Sequence, residues 1–258
     1  FIRGALLSLT GDTVVLGRDG VRVGDVDSAG EARLFSSDGS VSAGNLTSDL
    51  STAIYGETGI QVGNVSSQKF VELVSNQGAI QAGDVMSTDE QVLIRADEDL
   101  DVGAVSAQLG VHLDSLSASV TSGAITAAGV AQVRAATNAT LASINGARVD
   151  VSSSGGAIAI EGASVSTEEL VRLSAESGVS AGSIESATSV DVQANTGDVQ
   201  LGATTAQAAV LVRGASVTTG NIDADSSISL TAVSGDLATQ DLRSQTDVVL
   251  TEAARNIS

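Results

Sequence analysis

One pattern recurs along the whole chain at intervals of about 20 residues. It is clearest in "VELVSNQGAIQAGDV" (71–85) and "VRLSAESGVSAGSI" (171–184), where alternating aliphatic residues precede a glycine and a second short aliphatic stretch. A fixed period of this length is typical of repeat proteins, whose units bury a core only by stacking on their neighbours. The repeat therefore predicts an array of stacked units rather than an ordinary globular domain.

The units align on one position, the anchor, which is aliphatic in all but one of them. The anchors are Leu6, Val26, Leu46, Val65, Val85, Val105, Ile125, Ile144, Val165, Ile184, Thr204, Ile222 and Leu242. Five positions earlier every unit has an apolar residue, beginning with Phe1. Eight positions after the anchor only Ser152 breaks an apolar column, and Val151 repairs it by a slip of one residue.

The local pattern indicates strands. Apolar residues alternate within each unit, which is the period of a strand and not of a helix. Glycine is frequent two positions before the anchor, where a tight corner needs it, and the chain has no proline to interrupt hydrogen-bonded ladders. We predict an all-β fold, a single-stranded parallel β-helix of about 13 coils of about 20 residues each. It should form one continuous uncapped array over residues 1–258 with no separate domains, in a rod of roughly 60 Å at ~4.8 Å per coil.

Charge and composition exclude several function classes. The chain has 31 acidic and 12 basic residues and a net charge of −19, so nucleic acid and anionic lipid are not expected partners. No apolar run is long enough to span a membrane, and the absence of cysteine excludes thiolate metal sites. Aromatic residues make up only 2% of the chain, which argues against an aromatic platform for sugars.

Acidic and amide residues precede the anchor in successive units, and they are weak candidates for a metal site. Asp25 and Asp84 occupy this column, with Asn45 and Asn64 between them. Aligned oxygen ligands suit a hard cation such as Ca²⁺. Capping of a turn by Asx side chains is the commoner role, and the glycine-rich calcium-binding nonapeptide is missing. We expect no metal and no cofactor.

Three sequons, at Asn45, Asn64 and Asn138, are possible glycosylation sites. His112, the one histidine, is expected on the surface without catalytic partners. The short intervals between units leave no room for the long loops that build the active-site groove of β-helical polysaccharide-degrading enzymes. We therefore expect no enzymatic activity.

The pattern V-x-L-x-A-x-x-G-x-I-x-A-G-x-V resembles the repeats of filamentous haemagglutinin-like exoproteins, and the resemblance covers essentially the whole chain. Those proteins are large bacterial adhesins and toxin-delivery proteins of two-partner secretion. The resemblance implies a right-handed helix, an extracellular or cell-surface location, and the role of a shaft. Secretion, effector and receptor-binding regions would lie outside these residues.

These observations predict a structural shaft that projects a functional tip, with flanking repeats of the same chain as its neighbours. One alternative is a self-assembling extracellular filament subunit whose copies stack end to end. Another is a β-solenoid binding module with sites for a receptor or a divalent cation on its outer columns.

Overall fold

The computed structural model describes residues 6–258, so Phe1 lies outside the described residues. These residues are all-β, with no helix, and their parallel strands form a β-solenoid of about 12 turns at a spacing of about 20 residues. The predicted fold class is therefore confirmed. The chain divides into two compact units, Phe1–Gly129 and Val130–Ser258. The right-handed sense and the single continuous array stay predictions.

Unit 1 contains the strands β1 (Leu6–Ser8), β2 (Thr13–Gly17), β3 (Val21–Arg22), β4 (Val26–Ser28), β5 (Ala32–Ser36), β6 (Val41–Ser42), β7 (Leu46–Ser48), β8 (Thr52–Gly56), β9 (Ile60–Val62), β10 (Val65–Ser67), β11 (Val71–Ser75), β12 (Ile80–Ala82), β13 (Val85–Ser87), β14 (Val92–Ala96), β15 (Leu100–Val102), β16 (Val105–Ala107), β17 (Gly110–Ser115) and β18 (Val120–Ala127).

Unit 2 contains the strands β19 (Val130–Ala135), β20 (Ala139–Gly146), β21 (Arg148–Ser153), β22 (Ile158–Ile160), β23 (Ser164–Ser166), β24 (Val171–Ala175), β25 (Val179–Ala181), β26 (Ile184–Ser186), β27 (Val190–Ala194), β28 (Val199–Leu201), β29 (Thr204–Ala206), β30 (Val210–Gly214), β31 (Val217–Thr219), β32 (Ile222–Ala224), β33 (Ile228–Ala232), β34 (Leu237–Thr239), β35 (Leu242–Ser244) and β36 (Val249–Ala253).

Each coil contributes strands to three parallel ladders. In unit 1 the first ladder is β3-β6-β9-β12-β15 and the start of β18, and the second is β1-β4-β7-β10-β13-β16 and the end of β18. The third ladder of unit 1 is β2-β5-β8-β11-β14-β17, whose strands are the longer ones. We call the turns that follow the first, second and third ladders the first, second and third corners.

Unit 2 repeats this arrangement. Its first ladder is the start of β20 followed by β22-β25-β28-β31-β34, and its second is the end of β20 followed by β23-β26-β29-β32-β35. Its third ladder is β19-β21-β24-β27-β30-β33-β36.

The core is a set of aliphatic stacks inside the coils. Along most strands every second side chain points inward and is buried, while its neighbours face outward. In the end strands β1, β2, β35 and β36 no side chain is fully buried. In the third ladder of unit 1 the central stack consists of Leu34, Ile54, Leu73, Ile94 and Leu113. Burial of each such side chain is worth about 1.5–3 kcal/mol, and this gain is realised only when a neighbouring coil covers it.

The first corner requires glycine because adjacent coils approach closely there. A Cβ on Gly83 would lie 2.2 Å from Oδ1 of Asn64 in the preceding coil. At the third corner Gly59 adopts a φ of +139°, a backbone conformation that side chains oppose. The glycine column seen in the sequence thus has a steric cause.

The predicted column eight residues after the anchor is wrong at three coils. The inner position is taken by Val15 instead of Val14, by Ile94 instead of Leu93, and by Thr251 instead of Leu250. The cause is the length of the second corner, because three residues separate β10 from β11 but four separate β13 from β14. A fixed offset from the anchor cannot follow this change.

One anchor is also wrong. Ser164, and not Val165, pairs with Ile144 and Ile184, and Val165 faces outward. A polar residue occupies the inner position here, so an alignment by hydrophobicity selected its neighbour. The predicted slip to Val151 is confirmed, because Val151 is fully buried.

Candidate functional site

A line of Asx side chains follows the first corner of unit 1. Oδ1 of Asp25 accepts a hydrogen bond of 2.8 Å from the N–H of Asn45, and Oδ1 of Asn45 accepts one of 2.9 Å from the N–H of Asn64. Asn64 continues the line to the N–H of Asp84 at 2.9 Å, and Asp84 to that of Ala104 at 2.8 Å. Each side chain therefore ties one coil to the next, which is a capping role.

The two weak metal candidates, Asp25 and Asp84, are not in contact, because two coils lie between them. Asp25 and Asp84 are separated by two asparagines, and each carboxylate already accepts a backbone N–H. Within residues 6–258 no group of three or more His, Cys, Asp or Glu side chains is arranged to hold a metal ion.

The three sequon asparagines are exposed, and each caps the backbone of the next coil, although at different corners. Asn45 and Asn64 lie at the first corner, and Asn138 lies at the third corner, where its Oδ1 accepts from the N–H of Ala157 at 2.9 Å. The capping bonds use Oδ1, whereas a glycan would be attached to Nδ2. Glycosylation at these positions stays a prediction.

His112 lies on the outer side of β17, in register with Leu93 of β14. No helix with the length and apolarity of a membrane span occurs in the described part of the chain.

The outer side of the third ladder in unit 1 differs from the other outer surfaces of that unit. We call its ten outward residues on five successive strands the aromatic face. They are Val14 and Leu16 on β2, Arg33 and Phe35 on β5, Ala53 and Tyr55 on β8, Glu72 and Val74 on β11, and Leu93 and Arg95 on β14. The outward positions of the first ladder are mostly small or polar instead, as in the hydrogen-bonded pair Gln61 and Gln81.

The aromatic face concentrates side chains that are rare in this chain. Of three Phe and one Tyr in the sequence, Phe35, Tyr55 and Phe70 line one open groove of about 540 Å³ here. The rings of Phe35 and Tyr55 are tilted by 52°, with centroids 6.3 Å apart. Leu16 is 72% exposed and Phe35 is 43% exposed, so the apolar surface faces solvent.

Charged groups border the aromatic rings. The Tyr55 hydroxyl donates to a carboxylate oxygen of Glu72, and the Arg33 guanidinium pairs with Glu31 at the edge of the groove. Burial raises the pKa of Tyr55 to about 12, assisted by the hydrogen bond and negative charge of Glu72 and opposed by the charge of Arg33. The phenol is thus held as a neutral donor.

The third ladder of unit 2 has a more polar outer side. Arg172 lies 3.5 Å from a carboxylate oxygen of Asp191, and Arg148 lies 3.3 Å from one of Asp150. A groove of about 570 Å³ runs past Arg213 and Glu252. The more exposed pair, Arg172 with Asp191, is of a kind that contributes little to stability, about 0–1 kcal/mol.

Comparison of the chain with protein-family models, with curated proteins and with solved structures finds no match in any of the three.

Sequence reasoning missed the aromatic face. The low aromatic content argues against an aromatic platform for sugars, but content says nothing about how the few aromatic residues cluster. A usable signal was present, because Phe35 and Tyr55 are spaced by one repeat and pair directly in adjacent strands. A fixed offset from the anchors Val26 and Leu46 places both rings in one outward column, but the residues of β2 and β14 join the face only when the length of the second corner is known.

Proposed function

We propose that this chain is a shaft segment of a secreted or cell-surface fibrous protein of the filamentous haemagglutinin-like type. The observation that carries the proposal is the uninterrupted stacking within each unit, in which every coil is bonded to the next through three ladders. Such a stack transmits force along hydrogen-bonded strands and needs no chemistry. The role proposed is to hold a functional tip away from the surface of the producing bacterium.

Short corners support this role. Strands within a coil are joined by turns of a few residues, and the exposed Asx side chains bond across coils at the first corner. Proteases cleave preferentially at flexible exposed loops. A stack of coils with such short corners is suited to an extracellular environment.

The outer surface of the coils also supports the role of a shaft. The net charge of −19 and the polar outward positions of the first ladder keep an extended stack soluble without a specific partner. In this proposal the chain is not an enzyme, and its neighbours are flanking repeats of the same protein. Receptor binding is assigned to regions outside residues 1–258.

The test is the location and intact mass of the native polypeptide, detected with antibodies against this chain in cytosolic, surface and secreted fractions. We expect a surface or secreted protein far heavier than 25.5 kDa. A cytosolic protein would overturn the proposal. A secreted polypeptide near 25.5 kDa that sediments as long filaments would instead establish the filament subunit, which stacks end to end.

A further inference from the structure

The aromatic face is a flat sheet surface with an apolar centre. Its strands β5, β8 and β11 are bonded on both sides within the ladder, so their backbone groups offer nothing to a partner. What remains for recognition is the outward side chains. Exposed apolar surface that is clustered and bordered by polar groups marks an interaction site rather than ordinary surface.

Because the strands pair in register, the outward residues of this face align in two columns across the strands. Each strand contributes two outward positions, and Arg33 and Glu72 occupy the same position on the strands either side of β8. Between them lies Ala53, with Tyr55 at the second position of the same strand. The charges are therefore opposite in sign and symmetric about β8.

A two-fold axis parallel to β8, lying above its outward side chains, would place a second copy face to face with the order of its coils reversed. A residue of β5 in one copy then faces the residue at the same position of β11 in the other copy. In the same way, β2 of one copy faces β14 of the other. The resulting opposed pairs are Arg33 with Glu72, Phe35 with Val74, Val14 with Leu93, and Leu16 with the aliphatic stem of Arg95. Ala53 and Tyr55 meet their own counterparts on the axis.

The charge of this face allows a second copy to dock despite the net charge of the whole chain. Two copies with a net charge of −19 each repel one another. The aromatic face, however, has two arginines and one glutamate among its ten residues. With Glu31 at the edge of the groove, positive and negative charges are balanced here. Arg33, which pairs with Glu31 of its own chain, also meets Glu72 of the second copy.

We propose that the aromatic face is a self-association surface. A second copy of this chain docks on it with the order of its coils reversed, so that Arg33 of each copy lies against Glu72 of the other. The association is lateral, and it goes beyond the shaft role. Failure of the dimer would leave the proposed shaft intact.

The size of the face sets the expected affinity. Five strands at ~4.8 Å and five residues at ~3.3 Å give a footprint of roughly 400 Å² per copy, or roughly 800 Å² in total. Interfaces below about 1,200 Å² are weak or transient. We therefore expect a dissociation constant between about 10 and about 500 μM.

The experiment is sedimentation equilibrium of the purified chain from about 5 μM to about 1 mM, at about 0.05 M and about 0.5 M NaCl. The expected result is a monomer–dimer equilibrium, with a dimer of twice 25.5 kDa, that weakens at the higher salt. Arg33→Glu and Glu72→Arg should each weaken it about tenfold or more, because each creates two like-charge contacts. The double variant restores both pairs and should return to within about threefold of the unchanged protein.

Arg213→Glu is the matched control, since it reverses the same charge at an exposed outward position of the third ladder in unit 2. It should leave dimerisation unchanged. Far-UV circular dichroism of every variant checks that the fold is kept.

Two results would overturn the proposal. One is a monomer at all concentrations, and the other is a dimer that the double variant fails to restore. If the monomer instead changes its Tyr55 fluorescence on titration with cellohexaose or chitohexaose, the face binds a neutral glycan and not a second copy.

Discussion

For two buried threonines, Thr204 and Thr52, the same substitution to valine should change the stability of the protein in opposite directions. Thr204 is 1% exposed, in register with Ile184 and Ile222, and its hydroxyl has no hydrogen-bond partner among the described residues. Thr52 is equally buried, but its hydroxyl oxygen accepts a bond of 2.7 Å from the Ser67 hydroxyl. Valine has nearly the shape of threonine, so Thr→Val isolates the hydroxyl.

The expected magnitudes follow from burial. Removing an unsatisfied buried hydroxyl relieves its desolvation cost, so Thr204→Val should stabilise the protein by about 1–3 kcal/mol. Thr52→Val leaves the Ser67 donor without its acceptor and should destabilise it by about 1–3 kcal/mol.

The assay is urea unfolding followed by far-UV circular dichroism. Repeat arrays need not unfold in a single two-state step, so the comparison uses the midpoints of the variants under one set of conditions. Thr204→Val should raise the midpoint and Thr52→Val should lower it. A lower midpoint for Thr204→Val would refute the reasoning, because it would show that the Thr204 hydroxyl has a partner in solution.

Three further predictions concern the core, the aromatic face and the repeat. Leu73→Ala removes a fully buried side chain from the central stack and should cost about 2–5 kcal/mol in urea unfolding. The absorbance of ionised Tyr55, the one tyrosine in the chain, should titrate near pH 12, and Glu72→Gln should lower that pKa; titration near the ordinary 10.0 would contradict the described contact. Because the folded pKa is raised, stability should fall as pH rises between about 10 and about 12. Deletion of residues 65–84 removes one whole coil and should leave the urea midpoint nearly unchanged, whereas deletion of residues 65–74 removes half a coil, breaks the register of unit 1 and should lower the midpoint.

The fold could be predicted from the sequence because the residues that pair in a ladder are also the ones that repeat as apolar columns. An inward position must be apolar in every coil, so a repeated column of Val, Ile and Leu is sufficient evidence for stacked strands. Errors arose where that link fails. Ser164 is polar and inward, and the second corner before β14 carries one extra residue.

The outward surface was harder to predict for a physical reason. Outward residues are not constrained by packing, so their columns show no regularity from which to detect a slip of one residue. The aromatic face depends on such columns. Its middle strands follow corners of equal length, so a fixed offset from the anchors already gives the pairing of Phe35 with Tyr55 and the opposition of Arg33 and Glu72. The outer strands β2 and β14 follow a longer corner, and their residues join the face only when that length is known.

The first and second corners differ in how well they should tolerate an insertion. At the first corner Asn64 and its equivalents bond directly to the next coil over a glycine, and an inserted residue would displace every bond of that line. The second corner already varies in length from coil to coil without disturbing the ladders. A peptide grafted between β13 and β14 should therefore be displayed as a loop on an intact scaffold, while the same graft after β12 should not. Such a chain can acquire a new epitope at one edge while the ladders of its coils stay paired.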